Sequence, residues 1–183
     1  DASENGEIYL RISADGVLEF YRAESGQPVL GFDFANTLLS AQRVYPHINR
    51  YALVDQNLGM TLIDVNYVVD FNNNIRSVTP ALGLPLGRRT VTLPAHHWLD
   101  VASQASSLAI AAAHGSSVTI LGLQEAEAEP SSSQRIDYPW PVAKAFLGPR
   151  NNWVLAHSDD GHIQVHSITP GQQSKLLLEQ RMT

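Results

Sequence analysis

Apolar residues return in the same short pattern at four places along the chain. Anchored on Leu10, Leu53, Ile110 and Leu155, each copy has an apolar residue two places earlier (Ile8, Tyr51, Leu108, Trp153) and another ten places later (Phe20, Ile63, Ile120, Val165). Eight places after the anchors stand Leu18, Thr61, Val118 and Ile163, apolar in three of the four copies. Alternation on both sides of a short polar break predicts a β-hairpin with one buried face. The anchors lie 43, 57 and 45 residues apart, the spacing of blades in a β-propeller. The predicted fold is therefore all-β and β-propeller-like: about four antiparallel blade units, approximately 1–40, 41–90, 91–135 and 136–183, in a single domain or fragment. Propellers run from about four to eight blades, so four units predict an incomplete ring with open sheet edges.

Local signals place the strands. In the first unit Ile8 to Ile12 alternates, Ala14-Asp15-Gly16 turns, Val17 to Arg22 returns, and Leu30-x-Phe32-x-Phe34 makes a third strand. In the second, Tyr51 to Asp55 and Met60 to Val65 flank Gln56-Asn57-Leu58-Gly59, a strand follows at Tyr67-x-Val69-x-Phe71, and Asn72-Asn73-Asn74 ends it. Ser77 to Arg89 holds Pro80, Pro85, Gly83 and Gly87 and predicts an inter-unit loop, because such a segment makes neither a central strand nor a good helix. Leu108 to Leu123 is the third hairpin, followed by an acidic, Ser-rich run over 125–133 that predicts an exposed loop. Trp153 to Ile168, turning at Asp159-Asp160-Gly161, is the fourth, with an outer strand at Lys175 to Glu179. Two segments, Phe34 to Arg43 and His97 to Ala105, are candidates for short helices, the second the stronger.

Composition narrows the function classes. The chain has 183 residues, 44 % of them apolar, enough for a sizeable core. Twelve Lys+Arg against 18 Asp+Glu leave a net charge of −6, and no basic cluster is denser than Arg88-Arg89. Nucleic acid and anionic membrane surfaces are repelled on average. Without cysteine there is no disulfide, thiolate chemistry or Cys-based zinc site. No stretch approaches the roughly 20 apolar residues of a membrane helix. The chain begins at Asp1 with neither Met nor a secretory leader, which predicts a processed product or an excised piece.

Candidate chemistry is thin. His157, His162 and His166 stand near Asp159 and Asp160, but alternation sets His157 with Leu155 on one face and His162 with His166 on the other. Two histidines four apart on a strand are about 13 Å apart, too far to share one ion. There is no Gly-x-Ser-x-Gly elbow and no Gly-rich phosphate cradle, and the Asp159/Asp160 and Asp64/Asp70 pairs, in or near hairpin turns, have the character of turn-formers rather than of an acid and a base. No catalytic, cofactor-binding or metal residue is assigned, and the chain is expected not to be an enzyme. Arg88 and Arg89 are candidate partner contacts. So is Trp140, in a stiff link between Pro139 and Pro141, where contact and core roles both stay open.

The hairpin Trp153-Val-Leu-Ala-His-Ser-Asp-Asp-Gly-His-Ile-Gln-Val-His166 resembles the inner hairpin of a WD-repeat-like blade, without that family's Gly-His and Trp-Asp dipeptides. A second resemblance bears on function. Tyr51-Ala-Leu-Val-Asp-Gln-Asn-Leu-Gly59 through Tyr67-Val-Val-Asp-Phe71, then Ile75-Arg-Ser-Val-Thr-Pro80 and Leu84-Pro-Leu-Gly87, is similar to the extracytoplasmic insertion of bacterial phosphate ABC transporter permease subunits. That match covers about a fifth of the chain. It implies a non-catalytic interaction, sensing or scaffolding domain at the periplasmic face of the bacterial inner membrane. Implied partners are the remainder of the permease chain and a periplasmic phosphate-binding protein, and open edges imply a homodimer. The alternatives are a stand-alone propeller-type ligand-binding module or a metal-dependent hydrolase using His157, Asp159 and His162 and, third, a cytosolic scaffold.

Overall fold

The computed structural model describes residues 6–34, 36–47, 49–73, 75–86, 90–124, 129–169 and 172–182. Among them every regular element is a β-strand, and all four expected hairpins are present. The first sheet has three strands, β1 (Ile8–Ile12), β2 (Val17–Arg22) and β3 (Pro28–Asp33), in that order. The second runs β4 (Leu38–Arg43), β5 (Arg50–Asp55), β6 (Gly59–Asn72) and β7 (Ile75–Gly83), with the short β8 (Val91–Thr92) on the start of β6. The third joins β9 (Trp98–Gln104), β10 (Ser107–His114), β11 (Ser117–Gln124) and β12 (Ser132–Asp137). The fourth joins β13 (Lys144–Leu147), β14 (Trp153–His157), β15 (His162–Ser167) and β16 (Lys175–Arg181). All pairings within the sheets are antiparallel.

Three cores lie between successive sheets, so the sheets stand side by side in chain order. The side of a sheet that looks toward the next one is its forward face. Leu10, Leu18 and Phe20 pack forward on Leu53, Ile63 and Val65. Ala52, Val54, Met60 and Leu62 pack forward on Leu108, Ile110, Leu121 and Leu123. Ala111, Ala113, Val118 and Ile120 then pack forward on Val154 and Ala156. Strands apolar on both faces are what a sheet buried on both sides requires. The first strands of neighbouring sheets approach one another on the inner side of the arc, where Tyr45 bridges Ala102 and the Leu147 N–H donates to the Asp100 carboxylate at 2.7 Å.

The anchors of the sequence repeat are not equivalent in space. Leu10 pairs with Phe20 and Leu155 with Val165, ten residues on, but Leu53 pairs with Thr61 and Ile110 with Leu121. The first, second and fourth turns are equal in length, closed by Ile12 with Leu18, Val54 with Met60 and His157 with Ile163, but Leu53 stands one residue nearer its turn than Leu10 and Leu155 do and so faces the rear; the shorter third turn sets Ile110 to the rear and Ile120 forward. Both candidate helices are strands, β4 and β9, because each supplies an inner edge that its sheet pairs with. The predicted loop from Ser77 is β7 as far as Gly83, and Pro80 is accommodated because β7 is an edge strand. The two strands expected at Met60–Val65 and Tyr67–Phe71 are one, β6, whose outer half leans with β7 over the first sheet: Tyr67 meets Phe20 edge-on, and Arg76 pairs with Glu7.

Glycine is demanded at two equivalent turns. Gly16 and Gly161 have φ of 86° and 89°, and a Cβ on either would collide with a passing backbone carbonyl, of Asn36 and Met182 respectively.

Candidate functional site

The structure separates the histidines of the fourth hairpin. His157 is paired with Ile163 on the forward face, where its ring stacks on Phe146 at 6.1 Å. His162 and His166 lie on the rear face, the first stacked on Trp140 at 6.0 Å, the second edge-on to Tyr138 at 5.3 Å. His157, Asp159 and His162 therefore do not converge, and among the described residues no group of three or more His, Asp or Glu side chains is placed to hold a metal ion. Asp160 serves its own turn: it accepts from the Ser158 hydroxyl, which holds its carboxyl below the usual range, and His162 lies 3.4 Å away. Arg88 and Arg89 lie outside the described residues.

Trp140 is not exposed. Only 7 % of it is accessible, and it forms the third core together with Tyr138 and Val142 of the same link. The small Ala111 and Ala113 on the facing strand leave the width that these link residues fill. Three buried polar atoms here have no hydrogen-bond partner: Tyr138 Oη, Trp140 Nε1 and His166 Nδ1. Burial raises the Tyr138 hydroxyl above the ordinary phenol range and lowers His166 from its usual 6.5. The inner end of the same seam is better satisfied. Trp98 Nε1 donates to the Ala145 carbonyl at 2.9 Å, His97 Nε2 meets the Val142 carbonyl at 2.8 Å, and Lys144 lies 4.8 Å over the Trp98 ring. Burial raises the Asp100 carboxyl there against the two backbone N–H groups that favour its charge.

A cleft of about 420 Å³ lies between the first and second sheets, lined by Asp33, Asn36, Asp55, Thr61 and Thr90 among others. Asp55 and Asn36 of this lining are committed to local structure: Asp55 Oδ1 accepts from the Asn57 and Gly59 N–H groups at 2.8 and 2.9 Å, and Oδ2 accepts from Asn36 at 3.3 Å. That is a turn held by a carboxylate rather than an acid–base pair. Of the Asp64/Asp70 pair, Asp64 is likewise committed, since it takes a two-pronged ion pair from the buried Arg50 at 2.7 and 2.9 Å.

Among the described residues, the forward face of the fourth sheet is a surface that no other sheet covers. In the first three sheets the forward hairpin residues are covered by the next sheet. In the fourth the corresponding residues, Leu155 with Val165 and His157 with Ile163, continue the arc with no described sheet beyond them. Phe146 and Leu178, paired with Leu155 and Val165 on the same face, are 38 % and 50 % exposed. The rear face of the first sheet is different in kind: Tyr9 stacks on Tyr21 at 5.2 Å beside Arg11 and Glu19. Sequence reasoning missed this face because it treated the anchors as one class. The pairing partners, had they been counted from each turn, would have separated them.

No family model matches the chain, and no curated protein matches it in sequence. Solved structures do match. The chain is similar to the β-propeller domain of Myceliophteria thermophila Cps50 (Swd1), with a TM-score of 0.52 and 12 % identity over 97 % of this chain and 56 % of that one. It thus spans about half the length of that domain. The chain is all-β, with the fold of β-propeller blades: four antiparallel sheets in an arc that does not close on itself.

Proposed function

We propose that this chain is a non-catalytic interaction or scaffolding module, and that it belongs to the periplasmic segment of a bacterial phosphate ABC transporter permease. The uncovered forward face of the fourth sheet carries the interaction reading. A sheet whose two sides are both apolar is stable when both are covered, and the described residues cover only one side of this one. The resemblance over Tyr51 to Gly87 supports the transporter reading. A location at the periplasmic face of the inner membrane follows from that resemblance, and so do the remainder of the permease and a phosphate-binding protein as partners. The committed polar groups of the Asp55 cleft support a module that binds rather than reacts.

Introducing Leu155→Lys with Val165→Lys into the full-length protein tests the docking surface. The sheets of this segment should keep their folded signature while its association with the rest of the protein or its partner is lost at least tenfold; unchanged association overturns the reading. The transporter assignment is tested separately by the gene on either side of this segment, which should encode membrane-spanning helices. Their absence would remove the permease while leaving the docking face untouched.

A further inference from the structure

The third seam contains a hydrogen-bond relay that fixes the protonation of one ring. Glu179 on β16 is an acceptor, so the Gln164 amide must turn its NH2 toward it, and Gln164 Nε2 donates to Glu179 Oε1 at 2.9 Å. Gln164 Oε1 is thereby left facing His166 Nε2 at 3.2 Å, and that nitrogen must carry the imidazole proton. Neutral His166 then presents a bare lone pair at Nδ1 to the buried interior. Around it stand the rings of Tyr138, at 5.3 Å, and of Trp140, which packs on Tyr138 at 4.9 Å. Trp140 Nε1 only donates, and Tyr138 Oη makes no hydrogen bond to the histidine.

We propose that this seam is a proton-sensitive joint: protonation of His166 at Nδ1 places a charged donor where the interior offers it no acceptor, and loosens the fourth blade from the third. A neutral acceptor buried without a partner costs less than a charged donor buried without one. His166 sits where the effect is transmitted, because its cross-strand neighbour Val154 is part of the core that holds the two blades together. The direction of its titration agrees, since burial lowers it from 6.5. A histidine with a lowered folded-state value leaves stability complete above 6.5 and removes it as pH falls through the folded value.

The other ionisable groups around the seam are distinguishable from it. His162 on the same face is stacked on Trp140 and lies beside Asp160. Glu179 acts through Gln164, while Lys175 and Arg181 on β16 are exposed, and Arg135 and Asp137 on β12 pair with each other in solvent. Tyr138 is raised, away from neutrality. Asp100, whose carboxyl is raised by burial, acts with the opposite sign: its protonation as pH falls favours the folded state.

NMR titration of the histidine side chains, with amide exchange measured strand by strand between pH ~7.5 and ~5.5, tests the joint. His166 should hold its proton on Nε2, titrate below 6.5, and be accompanied by a roughly 3- to 10-fold loss of amide protection in β13–β15 that β5 and β6 do not share. H166Q should abolish that pH dependence and H162Q should retain it. A His166 midpoint at or above 6.5, a proton on Nδ1 in the neutral ring, or a loss of protection spread evenly over all four sheets would each overturn the proposal. Should H166Q fail to fold, the wild-type titration alone decides.

Discussion

Two seams of this arc share one strand geometry and differ in what fills them. Between the second and third sheets the core is wholly aliphatic, apart from Met60, and its side chains come mostly from the strands. Between the third and fourth, alanines on β10 leave space that Tyr138, Trp140 and Val142 occupy from the connecting link. The first arrangement removes apolar surface from water with no polar atom to satisfy. In the second, aromatic rings with polar ends are brought inside, and three of those ends lack partners. Blade packing thus tolerates very different interiors, but only the second kind of interior can respond to a proton.

The comparison can be broken by mutation, and the largest effect is expected in the aliphatic seam. Leu62→Ala removes a fully buried side chain from the second core and should cost about 2–5 kcal/mol in denaturant unfolding. Gly161→Ala should cost about 1–3 kcal/mol, since the left-handed turn and the Met182 carbonyl both exclude a methyl group. Leu155→Lys, on the uncovered forward face, should change the stability of the isolated chain by less than about 1 kcal/mol. If it costs as much as Leu62→Ala, that face is covered, contrary to the arc described. Tyr138→Phe is the smallest and the most diagnostic: deleting an orphaned hydroxyl should leave stability unchanged or raise it by up to about 1 kcal/mol. A loss of 2 kcal/mol or more there would mean that the hydroxyl is bonded. If open sheet edges also pair two copies, light scattering of the 183-residue chain should show a dimer whose fraction grows with concentration.

Hairpins were legible because alternation with period two is imposed by the pleat itself, whatever lies on either side. The strands at Ile8, Tyr51, Leu108 and Trp153 are where the pattern puts them. The inner strands β4 and β9 were not legible. Leu38–Arg43 has a Ser, a Gln and an Arg, and most of its residues are exposed, so its strand state is set by pairing with β5 rather than by its own apolar pattern. β7 was hidden by Pro80, which is disqualifying only in a central strand. Trp140 shows the same limit from another side: Pro139 and Pro141 fix an extended link, but whether its indole meets water or core depends on Ala111 and Ala113, which lie far away in sequence.

By itself the sequence determined that the chain is built of β-hairpins, roughly how many there are, and that each strand carries apolar residues. These are properties of neighbouring residues, enforced by alternation and by turns such as Asp15-Gly16 and Asp160-Gly161. Tertiary structure alone decided which face meets which neighbour. A shift of one residue relative to the turn reverses the facing of a repeat position, as it does between Leu10 and Leu53, and only the stacked sheets show which side no described sheet covers. It also decided the state of His166, because the relay from Glu179 through Gln164 is assembled across strands and its consequence is felt across a seam.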